Sequence, residues 1–131
     1  MKKALILCLV AVFAAAPFVF AGEEKAKKEE MKEQTLEGEF IDLQCYVGMN
    51  AHGDGHKECG QKCAKAGVPF GLLTKEGKVY SILLPPAQLA DQAQKTIRVT
   101  GKVAHGNMIV PSKLQAKEGD KWVDVKLPSM M

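Results

Sequence analysis

The chain has 131 residues, with 18 basic against 15 acidic side chains for a formal charge of +3, and 6% of its residues are aromatic. That near balance leaves no electrostatic footprint for nucleic acid, and the length suits one small domain whose modest core gains from a staple or a metal. Four cysteines are the feature of the composition that these bounds do not absorb.

Residues 1–21 open with Lys2 and Lys3, continue through the uncharged apolar run Ala4 to Phe20, and end in Val19-Phe20-Ala21. The pattern predicts a secretory signal peptide cleaved after Ala21, and therefore a periplasmic or secreted protein. The run is slightly short for the roughly 20 apolar residues of a membrane anchor, so no stable anchor is expected after cleavage. Cys8 leaves with this segment, being too near the amino terminus for a lipoprotein cleavage site. Cys45, Cys59 and Cys63 then remain, an odd number that cannot all pair within an exported chain. Taking Lys2 and Lys3 from the 18 basic residues leaves 16 against 15 acidic, a formal charge of +1.

Residues 22–34 are highly charged, of mixed sign and nearly free of large apolar groups, which predicts a solvated spacer. From residue 35 to 131 the periodicity is that of one small β domain. Thr35–Gln44 alternates with a slip or bulge and reads as strand one. Gly48–Gly55 reads as a loop, with Asp54 capping a helix from about Gly55 to Ala66 that Gly67 ends. Val68–Thr74 and Lys78–Leu84 form a hairpin through Lys75-Glu76-Gly77. Pro86 opens a short helix to Gln94. A half-buried strand over Ile97–Val103 turns at His105-Gly106-Asn107 into a partner, Met108–Ala116, where Met108 fills core space. A last strand, Lys121–Leu127, points Val123, Val125 and Leu127 inward and Trp122 outward.

This order, five to six strands with a helical insert after strand one and a short helix between strands three and four, resembles a small OB-type barrel. The resemblance implies a mainly β fold over Thr35–Leu127. Few aromatics and little basic excess argue against carrying nucleic-acid binding over from it. A second resemblance is closer in sequence. It rests on Cys45-Tyr46, on His56-Lys-Glu-Cys59-Gly-Gln-Lys-Cys63, and on Gly67-Val-Pro69-Phe-Gly71. This is similar to a group of small exported bacterial proteins with the same Cys-Tyr, His-x2-Cys-x3-Cys and Gly-x-Pro-x-Gly pattern. The resemblance implies that these residues act as one unit and brings no activity with it.

Chemistry enters through spacing. His56, Cys59 and Cys63 stand at i, i+3 and i+7 on the expected helix and share one stripe. Cys45 ends strand one, and the intervening loop is long enough to bring its sulfur over that stripe. Together they make a Cys3His set able to close a tetrahedral site around one zinc ion, and the same donors suit Cu(I). His52, four residues before His56, can replace or supplement it, or be a solvated loop residue. Asp42 can accept a ligand histidine's other N–H from outside the coordination sphere, or be a cap or edge charge. Met49, Met108, Met130 and Met131 keep copper open through thioether sulfur, whereas Tyr46 and Trp122 cover the site or simply pack.

Two other readings stay open. A disulfide from Cys45 to Cys59 or Cys63 would staple the helix to the barrel and leave one free thiol, giving a module that binds another envelope protein. Thiol–disulfide redox chemistry would use one cysteine to attack and another to resolve, helped by Cys59 in the first turn of its helix. No Ser-His-acid set, paired-carboxylate spacing or phosphate loop occurs, so no other enzymatic activity is expected.

Overall fold

A computed structural model of the chain describes residues 31–104 and 106–129. The expected signal peptide with Cys8, most of the charged spacer, His105, Met130 and Met131 lie outside the described residues. The first strand, β1 (Glu33–Asp42), pairs antiparallel with β4 (Thr96–Ala104) through Glu33–Glu39 and with β2 (Phe70–Thr74) through Gly38–Asp42. The strand exchanges one neighbour for the other across Gly38 and Glu39, where the two pairings overlap, and it lies close against β2 at Gly38. A β-carbon there would stand 2.7 Å from the carbonyl carbon of Leu73 and closer still to its oxygen, so only glycine fits.

The β2 strand turns through Gly77, at φ 78°, into β3 (Val79–Ile82). A 3-10 segment, Ala87–Gln92, follows Pro86 and leads to β4. The next strand, β5 (Met108–Glu118), runs antiparallel to β4 and parallel to β3, through Ser81 with Met108 and Ile82 with Ile109. That short parallel contact closes the ring β1-β2-β3-β5-β4 into a five-stranded barrel. The last strand, β6 (Lys121–Val125), adds to β5 outside the ring. The OB-like architecture expected from the element order is the one observed.

The interior follows from inward alternation along these strands. Phe40 and Phe70 stack with ring centroids 4.1 Å apart, and Leu72, Ile97, Val99, Ile109 and Leu114 surround them, all fully or almost fully buried. Leu89 and Ala90 from the 3-10 segment, with Ala93 just after it, extend the same core. Two helices fill the connection from β1 to β2: α1 (Leu43–Met49), then, after a 3-10 turn at Asp54–His56, α2 (Lys57–Lys65). Buried Gly60 and Ala64 of α2 face the core side, and Gly60 approaches Ala93.

Several boundaries differ from the sequence expectation, each for a physical reason. Strand one starts inside the expected spacer, because Glu33 and Gln34 find partners in Lys102 and Gly101, and it stops at Asp42, where the chain turns helical. Gly48 and Met49 belong to α1 and not to a loop. Asp54 makes no capping hydrogen bond, and the regular helix starts only at Lys57. Val125 and Leu127 pack against the core as expected, but Val123 is 43% exposed, since β6 lies outside the ring of strands, and Trp122 is half-buried, with the Arg98 guanidinium over its ring at 4.1 Å. Met108, at the rim of the β3–β5 contact, is 36% exposed.

The close approach at Gly38 gives a direct test. Gly38→Ala should lower the unfolding free energy in a urea titration by about 1–3 kcal/mol through backbone overpacking. Gly48→Ala, whose added carbon meets nothing within 4 Å, should leave it unchanged or raise it by up to about 1 kcal/mol.

Candidate metal centre

The centre is built where β1 gives way to helix. Asp42 is the last residue of the strand and completely buried, and an aspartate at this position readily caps a following helix. Its Oδ1 accepts the N–H of Cys45 at 2.9 Å, which places Cys45 in the first turn of α1. Leu43 anchors that turn by filling the space a side chain on Gly71 would take, 2.5 Å from the position of its β-carbon. At the other end Asn50 adopts φ 52° and donates its N–H to Tyr46 O at 2.8 Å, ending α1 after two turns.

The chain then returns toward Asp42. Glu39 of β1 accepts the N–H of Gly53 and lies 3.3 Å from His52 Nδ1, so one carboxylate ties the loop to the strand. Gly53, at φ 84°, allows the reversal. His56 arrives at the start of α2 with Nε2 3.0 Å from Asp42 Oδ2, its side chain only 14% exposed. Both Asp42 oxygens are therefore engaged, as a buried carboxylate requires.

One turn apart on α2, Cys59 and Cys63 meet Cys45. The sulfurs of Cys45 and Cys63 are 3.8 Å apart, and all three sulfurs lie within 4.8 Å of one another. A second set overlaps the first: donor atoms of Asp42, Cys45 and His56 also lie within 4.8 Å of one another. Cys45, His56, Cys59 and Cys63 are thus close enough to bind a metal, with Asp42 in contact with His56. Burial is graded across the group, from exposed Cys59 through half-buried Cys63 to buried Cys45. None of the three is in a disulfide.

The environment holds the inner sulfur as a thiol. Donation of its S–H to the Asp42 carboxylate, followed by burial and the nearby Cys63, pushes the Cys45 pKa up to about 12. Burial raises Cys63 as well, with the Asp42 charge and Cys59 adding to it and the hydrogen bond with Cys45 opposing. A metal would supply the positive charge that makes these thiols ionise.

The other residues singled out by sequence stand as follows. His52 is 41% exposed in its side chain, held by Glu39 and edge-on to Tyr46, and belongs to neither donor set. Met49 is 70% exposed on α1. Trp122, on β6, is covered by the Arg98 guanidinium. Two residues had no sequence signal that pointed to the centre. Glu39 looks like any outward strand charge, and Gln94 follows the 3-10 segment without a motif. Gln94 is 5% exposed, adopts φ 62°, and neither polar atom of its side chain has a hydrogen-bond partner among the described residues. A β-carbon on Gly60 would stand 3.0 Å from Gln94 Nε2 and 3.5 Å from Asp42 Oδ2.

No protein family, curated protein or solved structure matches the chain. No helix of the described residues is long and apolar enough to cross a membrane.

The raised thiol gives a pH prediction for the metal-free protein. The folded chain holds the Cys45 proton more tightly than the ordinary thiol value of 9.0, so this contribution to stability is fully present below that pH and is lost as pH rises toward about 12. The denaturation midpoint, measured under reducing conditions, should fall across that window. In Cys45→Ser the fall should be shallower.

Proposed function

We propose that this is an exported metal-binding domain in which Cys45, His56, Cys59 and Cys63 hold one zinc or copper ion, in a structural or metal-carrying role. The observation that carries the reading is the 3.8 Å separation of the Cys45 and Cys63 sulfurs. A tetrahedral site with Zn–S bonds of about 2.3 Å has sulfurs about 3.8 Å apart along its edge. A disulfide would need them at about 2.05 Å. The backbone that sets this spacing is fixed by the Asp42 cap on one side and by α2 on the other.

Two further observations support it. With its Nε2 proton donated to Asp42, His56 keeps Nδ1 free as a lone-pair donor, the arrangement in which an outer carboxylate orients a ligand histidine. The graded exposure of the sulfurs gives an ion a way in through Cys59 without unfolding the barrel. Export rests on the pattern of residues 1–21, and likeness to small exported bacterial proteins with the same cysteine pattern belongs to the same proposal.

The second reading is the stapled interaction module. It is favoured by the same proximity, since Cys45 and Cys63 have only a short distance to close on oxidation, leaving Cys59 as the free thiol on the surface.

Protein exported to the periplasm and purified without added metal separates the two. The metal reading expects about one zinc or copper per chain and three thiols that titrate after metal removal and denaturation, with Cys45→Ser lowering metal retention about tenfold or more. A metal-free chain with one titratable thiol would establish the staple instead.

A further inference from the structure

We propose that the centre is two overlapping metal positions that share Cys45: an outer position of three thiolates, Cys45, Cys59 and Cys63, selective for Cu(I), and an inner position of Asp42, Cys45 and His56, selective for zinc. This rests on the reading that the centre binds a metal and revises its single four-ligand set, giving zinc one group of donors and Cu(I) the other. One ion binds per chain, and its softness decides which position it takes.

The donor geometry divides in this way. The three sulfurs are mutually within 4.8 Å, and so are Asp42, Cys45 and His56, with Cys45 the one member in both sets. The two sets differ in chemistry as well as place. Three thiolates form a soft site, the kind that retains Cu(I), whereas imidazole and carboxylate beside one thiolate suit a borderline divalent ion. Zinc in the inner position would displace the proton that joins His56 Nε2 to Asp42 Oδ2, and their 3.0 Å separation is close to the edge of a tetrahedral zinc site, about 3.3 Å for bonds of about 2.0 Å to nitrogen and oxygen.

Burial and charge separate them further. The inner position is lined by Asp42 at 0%, Cys45 at 8% and the His56 side chain at 14% exposure. A buried ion has to be balanced locally, and one carboxylate with one thiolate neutralises a divalent cation. Three thiolates around a monovalent ion leave excess negative charge, which is tolerable only where water reaches it. Cys59 is exposed.

Gln94 is the independent observation. Its buried carboxamide has no hydrogen-bond partner among the described residues, a costly arrangement unless something else satisfies it. Gln94 Nε2 and Asp42 Oδ2 lie 3.0 and 3.5 Å from the position a β-carbon on Gly60 would take, so both border the same side-chain-free face of α2. A water held by the carboxamide in the space between the two side chains, clear of the Gly60 backbone, would sit beside Asp42. It completes the inner position as the fourth ligand that zinc takes when the protein offers three. The Gln94 backbone holds the side chain there: its φ of 62° is unfavourable for a residue other than glycine, and its N–H is fixed to Phe40 O at 2.8 Å.

The test is a pair of affinities, for Zn(II) and for Cu(I), measured by chelator competition on the parent chain and on Cys59→Ser, His56→Gln and Gln94→Leu, with circular dichroism confirming the fold of each. Cys59→Ser should weaken Cu(I) about tenfold or more and zinc by less than about threefold; His56→Gln should do the reverse, and Gln94→Leu should weaken zinc alone, about tenfold. Co(II), used as a spectroscopic substitute for zinc, should show the thiolate charge-transfer intensity of one sulfur, unchanged in Cys59→Ser. If Cys59→Ser and His56→Gln each weaken both metals equally, one four-ligand centre replaces the two positions and the proposed function stands. Zinc affinity unchanged in Gln94→Leu would overturn the water-bearing inner position. A parent chain that binds only one of the two metals overturns the pair of positions, and one that binds neither overturns the metal reading with it.

Discussion

The arrangement of the centre depends on the burial of one carboxylate. Asp42 is fully enclosed, and a buried charge survives only if its oxygens are satisfied. One oxygen takes the Cys45 N–H and thereby starts α1; the other takes His56 and thereby fixes where the chain re-enters after the loop. A strand end, a helix start and the approach of α2 are thus determined together. Remove the carboxylate and each loses its reason to be where it is, since breaking a buried pair by taking away one partner leaves the other uncompensated.

The barrel supplies the rigidity that makes this possible. The β1 strand delivers Asp42 to its end by exchanging β4 for β2 as its neighbour across Gly38 and Glu39. The stacked Phe40 and Phe70 rings adjoin Asp42 in the sheet, Phe40 two residues before it in β1 and Phe70 as its cross-strand partner at the start of β2. A site on a loop would wander with it; here each donor is held by an element that the core already orders.

How much of this was legible in the sequence depended on whether the signal was local. Alternation marks the strands because each barrel strand faces one interior, and at β6 it holds for Val125 and Leu127, which pack against the core, but not for Val123, which is exposed because the strand lies outside the ring. The stripe of Cys59 and Cys63 was readable from helical spacing. The helix α1 was not, because Leu43-Gln-Cys-Tyr-Val-Gly-Met includes aromatic, β-branched and glycine residues that weaken helical propensity. Its signals are the caps, Asp42 before it and Asn50 after it, of which only Asp42 reads as a possible cap in the sequence, whereas Asp54 makes no capping bond. Gln94 could not be found at all from the sequence, since its relation to Asp42 exists only through the gap left by Gly60.

That gap at Gly60 bears on how the fold could be reused. Every sulfur and nitrogen donor lies in the single connection between β1 and β2, which invites treating Asp42–Pro69 as a cassette to be grafted onto another small barrel. The connection is not self-sufficient. Its helix was shaped, by the omission of one side chain, to fit against a glutamine that enters from the far side of the sequence, between the third and fourth strands. A transplant that carried the ligands but not this complementary surface would bring the cysteines and leave behind the wall against which they are set.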